Sequence, residues 1–388
     1  MEQGSRLQSR RSGGLIHDYI GGGEFYSLAL ALCMGGVVWC GTAAKAAGGM
    51  AWLLIAAALA CGLLEVLVFY FWLRVFGAQS FAGSLEYALG RAGGRIMLFA
   101  YALFWLLLAL VELVYITDLW VALRPADMPL WLYAVFFVLT AAVFAVTGEV
   151  ALGRAALLVV LPVLLLVLAN LLLTVVGSDP RNLLPLTYDG SLLPVAVWAA
   201  VGIYGDLCVL LPYLEHVAEP NACPRRLVAA SSLAAVLWGG VALGVLIVLG
   251  TALPLYDFPI LQVFRLAEVG HWFSRFEVIG AVLMEGLALI RLSVLLTAAL
   301  GGLRSLWGWH TVRRAWLLGV GLAGCLLGLW WWVQNTPPAD AGMLVCMVEL
   351  GMALVVPCLV IVGGWLRFRA ENRTIVVNKE SYGRQKKR

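Results

Sequence analysis

Apolar residues run through this chain in stretches of about twenty, broken by short polar segments. Ten stretches stand out, at 25–43, 49–73, 96–121, 129–147, 155–176, 192–213, 227–250, 276–303, 315–333 and 342–366. A helix of about twenty apolar residues crosses the ~30 Å hydrocarbon core of a bilayer. The pattern therefore predicts an all-α polytopic membrane protein with ten transmembrane helices, called spans one to ten below.

Composition agrees with that solvent. The chain is 63% apolar and 12% charged, with a mean hydropathy of +0.94, whereas soluble domains hold roughly 45–50% and 25%. Arg6, Arg10 and Arg11 followed by an apolar run and Ala44-Lys45-Ala46 imitate a signal peptide. A cleavable apolar region is shorter, and nine further spans follow, so span one is expected to be retained. Ten spans put both ends on one side. That side holds 20 basic residues, 12 from Arg6 to Arg314 and eight in the tail from Arg367 to Arg388, against Lys45, Arg124, Arg181, Arg265 and Arg275 opposite. The asymmetry predicts cytoplasmic termini. The net charge of +4 is then a topology signal, with the bilayer as partner and no nucleic acid.

Catalytic and metal-binding patterns are missing from the sequence. The eight cysteines are scattered without a Cys-x-x-Cys pair, and His17, His216, His271 and His310 lie at span ends or in loops. None of the histidines is at ligand spacing to another. A non-enzymatic protein with no metal and no cofactor is expected.

The chain divides near Gly177. The expected organisation is an N-terminal segment (1–24), a membrane domain (25–366) made of one repeat at 25–176 and a second at 192–366, and a basic cytoplasmic tail (367–388). Five spans per half is odd, so the halves must be inverted in the membrane. The first span of each half carries a glycine interruption, Gly35-Gly36 in span one and Gly202 with Gly205 in span six. Matched interruptions of this kind point to an inverted-repeat transporter fold with a site at mid-membrane. Glycine lets the backbone unwind, and unwound backbone at membrane depth is tolerated only inside protein or beside a wet cavity. Such glycines also serve close helix packing. Their presence in both halves, with Asp206 beside one pair, favours the pocket.

Charged residues within spans are Glu65, Glu112, Asp118, Asp206, Glu285, Arg291 and Glu349, each expensive in lipid and a candidate for a cavity, relay or ion pair. Tyr101, Trp105, Leu108, Glu112 and Tyr115 share one face of span three at helical spacing. Arg291 is the one basic residue deep in a span, and Glu112, Glu285 and Asp206 are its candidate partners. The ligand-binding set is Gly35, Gly36, Glu112, Tyr115, Gly202, Gly205 and Asp206.

Residues 254–290 carry Phe258-Pro259, then Arg265, then Arg275-Phe276-Glu277. With Gly205-Asp206 and Pro212 in span six and Asn182 to Pro185 ahead of it, this arrangement resembles the spore germination permease family, the B-type integral subunits of nutrient germinant receptors. Many members carry Gly-Glu where this chain has Gly205-Asp206. The resemblance implies a leucine-transporter-type 5+5 inverted repeat, of the amino acid–polyamine–organocation superfamily, with helices one and six broken. It implies a spore inner-membrane or cell-membrane subunit that binds a small nutrient, such as an amino acid. It also implies two partners, a larger A-type membrane subunit and a C-type lipoprotein. An ion-coupled amino acid transporter and an ion- or water-conducting subunit are the alternatives. Residues 254–275 are amphipathic and are expected to pack over the outer vestibule as a lid with Phe258, Pro259, Arg265 and Arg275. Trp330 to Trp332 are expected to form an aromatic belt.

Overall fold

The computed structural model describes residues 19–35, 51–123, 129–176, 180–183, 205–256, 258–266, 276–309, 311–336 and 341–385. These residues are helical almost throughout, and the β-bridge between Ile20 and Val217 is isolated. In chain order the helices are α1 (Gly22–Gly35), α2 (Ala51–Phe76), α3 (Phe81–Leu123), α4 (Leu130–Thr147), α5 (Glu149–Val176), α6 (Cys223–Leu249), α7 (Pro259–Leu266), α8 (Phe276–Trp307), α9 (Val312–Asn335), α10 (Ala341–Leu350) and α11 (Val356–Gln385). Eight helices among the described residues are long and apolar enough to cross a membrane. Spans one and six are described in part, as α1 and as Gly205–His216.

Burial sorts the helices. In α1 every residue from Ser27 to Gly35 is buried; a helix that is apolar all round belongs at the centre of a bundle. It packs against α5, α6 and α8. By contrast α4 and α9 present Phe136, Leu139, Leu317 and Val320 outward, which suits lipid contact.

Three spans depart from plain helices, each for a local reason. The helix of span three begins at Phe81, well before residue 96, and breaks at Gly90, where φ is 82° and ψ 165°. A side chain there would be strained. The break frees the carbonyl of Tyr87, and the Arg367 Nη1–H donates to it at 2.8 Å. Span ten is two helices, α10 and α11, joined by a π-helical turn at Gly351–Val355. Pro357 accounts for the turn, because its ring crowds the carbonyl four residues back and it has no N–H to donate. The Val356 N–H reaches back to Gly351. Met352, five residues before Pro357, takes the Tyr101 hydroxyl at 3.0 Å instead. In span six, Gly205–Leu210 and Pro212–His216 are both 3-10 helix, with Pro212 opening the second piece. The expected basic tail continues the helix of α11 as far as Gln385.

The two ends of the bundle are closed differently. At one end the arm before α1 is tied to the end of span six. Ile20 N–H donates to the His216 carbonyl at 2.8 Å, and the Ile20 carbonyl accepts from Ala218 N–H at 3.1 Å. Glu24 takes the Gly21 N–H at 2.7 Å and stands 3.4 Å from Arg154 at the start of α5. Arg226 pairs with Glu219 at 2.7 Å. At the opposite end, α7 buries Pro259, Ile260, Leu261, Val263 and Phe264 against α6 and α8 and leaves Arg265 exposed. Phe264 packs so closely on Gly280 that a Cβ there would lie 3.0 Å from the ring. Asn182 Nδ2–H donates to the Ile247 carbonyl at 2.7 Å and lies over Gly250, whose φ is 48°. These are the arm end and the lid end below.

Candidate functional site

Span three presents the face that its periodicity predicts. Tyr101, Trp105, Leu108 and Glu112 are all buried, and Tyr115, one turn on, is half-buried. Tyr101 and Trp105 belong to an aromatic cluster with Phe81, whose ring lies 5.2 Å and 5.6 Å from theirs. Toward the arm end this face is packing. Toward the lid end it carries Glu112.

Arg291 on α8 meets Glu112 there, with Nε 3.4 Å from Oε2, and the two side chains are 4% and 6% exposed. Of the three carboxylates open to Arg291, Glu112 is the partner found, and Glu285 is not. Residues six apart on a helix point about 120° away from each other, so Glu285 cannot reach around to the face that Arg291 occupies. Glu285 Oε1 is buried and lacks a hydrogen-bond partner.

The stem of Arg291 lies across Gly35. A Cβ at Gly35 would sit 3.0 Å from Arg291 Cδ and 3.5 Å from its Cβ, so the absence of a side chain is what admits the arginine. Two residues earlier, the Trp238 Nε1–H from α6 donates to the Cys33 carbonyl at 3.1 Å. Spans three, seven and eight thus converge on the last described turn of α1.

Other expected site residues divide by position. Gly35 is in contact with the ion pair. Gly205 opens the 3-10 segment, and Asp206 follows it, but the Asp206 side chain lies outside the described residues. Gly36, Gly202 and Arg275 lie outside them as well. Of the lid set, Phe258 is half-buried, Pro259 is buried and Arg265 is exposed. Trp331 and Trp332 are 59% and 62% exposed, as a belt requires, whereas Trp330 is buried and its Nε1–H donates to Thr117 at 3.0 Å.

Glu65 is the residue whose role the sequence did not disclose. It is buried in α2, and its Oε2 accepts the backbone N–H of Cys208 at 3.1 Å. That amide lies within the 3-10 segment Gly205–Leu210. The carboxylate anchors the described part of span six to span two. Glu349 is buried near the end of α10, which also packs on this segment. Among the described residues one cavity lies under the lid, about 20 Å³ in volume, between Asn170, Trp238, Phe264 and Met284. A space of that size suits a single water. No cluster of metal-ligating side chains is present among the described residues.

Known proteins place this arrangement. No curated protein matches the chain. Its fold is similar to that of MhsT in complex with L-phenylalanine, with a TM-score of 0.64 at 16% identity over 89% of this chain and 87% of that one. It is similar also to Mhp1, a nucleobase-cation-symport-1 family transporter in a closed conformation with bromovinylhydantoin bound, with a TM-score of 0.60 at 14% identity over 89% and 78%. These likenesses show a leucine-transporter-type fold. A family model described as spore germination protein matches residues 27–332, from span one into span nine, and the chain belongs to that family.

Proposed function

We propose that the chain is the integral membrane subunit of a spore nutrient germinant receptor. It binds a small nutrient, an amino acid by preference, in a central pocket between spans one, three, six and eight. The arm end faces the cytoplasm of the spore and the lid end faces outward. Partners are the A-type membrane subunit and the C-type lipoprotein. The observation that carries this reading is the placing of the Arg291–Glu112 pair against Gly35, in a chain of the spore germination family. Buried charge in lipid is expensive and tends to mark a ligand or ion path. The fold neighbour holding L-phenylalanine supports an amino acid as the ligand class.

In this reading the carbonyls and amides released near Gly35-Gly36 and Gly202–Gly205 hold the ligand's charged ends, as half-helix ends do. Tyr115 and Glu112 form the span-three wall. Asp206 faces the pocket from the segment that Glu65 anchors, and the α7 segment is the lid. Asp206→Asn keeps the shape and removes the charge. The expected result is normal subunit level in spore membranes with a weakened germination response to nutrient. Normal level and normal germination across nutrients would remove Asp206 from the site.

Ion-coupled amino acid transport is a second reading, supported by the transporter identity of the fold neighbours. Uptake of labelled amino acid by proteoliposomes holding this chain alone would select it.

A further inference from the structure

We propose that the turn between α8 and α9 binds an anionic phospholipid. The lipid phosphate lies among Arg304, Arg313 and Arg314, and its acyl chains run along the outward side of α9.

The sequence singles this turn out by charge. No acidic residue stands between Glu285 and Asp340, while Arg304, Arg313 and Arg314 crowd around the turn with Trp307, Trp309 and Trp316. The fold puts that charge at a membrane surface. α8 lies against the α7 segment at Gly280, where Phe264 packs, and stays helical to Trp307. At 1.5 Å per residue that is roughly 40 Å, enough to cross the hydrocarbon core and reach the headgroups at the arm end.

The turn is a fixed frame. Gly308 reverses the chain with a φ of 64°. The Trp309 N–H donates to the Arg304 carbonyl at 3.0 Å, and the Arg304 Nε–H donates to the Trp309 carbonyl at 3.3 Å. The Arg314 guanidinium lies over the Trp309 ring, 5.7 Å from its centroid, and the Trp307 ring stands 5.4 Å from the same ring. Arginines of two helices thus converge on one tryptophan, with Arg313 beside them. At the same end Arg95, Arg154 and Arg226 each have a carboxylate. Arg304, Arg313 and Arg314 have none among the described residues, and the last two are exposed. A guanidinium fork matches a phosphate in two-point fashion, so an unneutralised set held in one place suits that anion.

The neighbouring surface favours a lipid over a free anion. Val312, Trp316, Leu317 and Val320 are exposed and fall on one side of α9 at helical spacing, and Arg313 falls within that side. The apolar strip begins where the arginines end. A phosphate with acyl chains covers both, and a free phosphate covers only the first.

Thermal melts of the purified full chain in neutral detergent, titrated with phosphatidylglycerol, phosphatidylcholine or sodium phosphate, test this. The wild type is expected to gain several degrees from phosphatidylglycerol and no more than a degree from the other two, by mass action on the folded chain. Arg313→Gln with Arg314→Gln is expected to melt like the wild type in detergent alone. It should need on the order of 10- to 30-fold more phosphatidylglycerol for the same gain, since two surface charges are lost. Arg74 and Arg369 stack on Tyr70 and Trp365 of other helices, and Arg74→Gln with Arg369→Gln is expected to titrate like the wild type. Equal gains from phosphatidylglycerol and phosphatidylcholine overturn the proposal. So does an equal gain from sodium phosphate, which would make this a free-anion site. So does an equal loss in both double variants, which would show diffuse charge only. If the first double variant does not fold, Arg314→Gln alone decides, with an expected loss of about fivefold.

Discussion

Glu112 and Arg291 survive in the bundle because each is the other's solvent. Taken from water singly, either ion loses several kcal/mol. At a 3.4 Å separation and with both side chains almost fully enclosed, the attraction restores most of that. The pair therefore stabilises little in total but fails badly when halved. Glu112→Gln strands the arginine and is expected to cost about 3–5 kcal/mol. Glu112→Gln with Arg291→Met removes both charges and is expected to recover most of it. Melting temperature and membrane yield of the two variants check this; equal loss in both would show that the pair is not coupled. This pairing was half legible in the sequence. One arginine deep in a span demands a carboxylate, and the span-three stripe offered Glu112. What decides between Glu112 and Glu285 is the direction each side chain leaves its helix, which needs the packed structure.

Single elements show where periodicity stops being informative. Apolar length locates α2 to α6, α8 and α9 to within a few residues of their ends, apart from the early starts of α3 and α5. It does not report the break at Gly90, which lies ahead of the apolar stretch that starts at 96, or the π turn at Gly351–Val355, which leaves its span apolar and of the right length. Pro357 was the available signal for the second, read correctly only with Tyr101 beside the orphaned Met352 carbonyl. Glu65 was invisible as an anchor, since its partner is a backbone amide 143 residues away. The α7 segment was legible as an amphipathic run, and its seat on spans seven and eight is new. That seat gives a test. A valine at Gly280 adds atoms where even a Cβ lies 3.0 Å from Phe264. Gly280→Val is expected to lift α7 and to speed tryptic cleavage after the exposed Arg265. Unchanged cleavage would mean that the lid is held by something other than this contact.

At the scale of the whole molecule, the arm before α1 joins the two half-described spans. The Ile20 bonds to His216 and Ala218 make the arm ends of spans one and six a single unit, and the Glu24–Arg154 contact ties that unit to span five. Opening at this end has to break them together. Ile20→Pro deletes one N–H donor, whereas Ile20→Val keeps it. A lost hydrogen bond of ~1 kcal/mol raises the open population about fivefold. Maleimide labelling of the buried Cys33 is expected to rise by that factor in Ile20→Pro and to stay at the wild-type rate in Ile20→Val; equal rates would show that the arm is no latch. The 3-10 coil between that latch and Asp206 also resets distance along the membrane normal. A 3-10 helix climbs ~2.0 Å per residue where an α-helix climbs 1.5 Å. The ten steps from His216 to Asp206, in 3-10 conformation around one turn residue, correspond to about 20 Å of rise rather than 15 Å. Half of the hydrocarbon core is itself ~15 Å. Ten α-helical steps would cover that half-thickness. At the 3-10 pitch the same number of steps reaches about 5 Å further, roughly one α-helical turn.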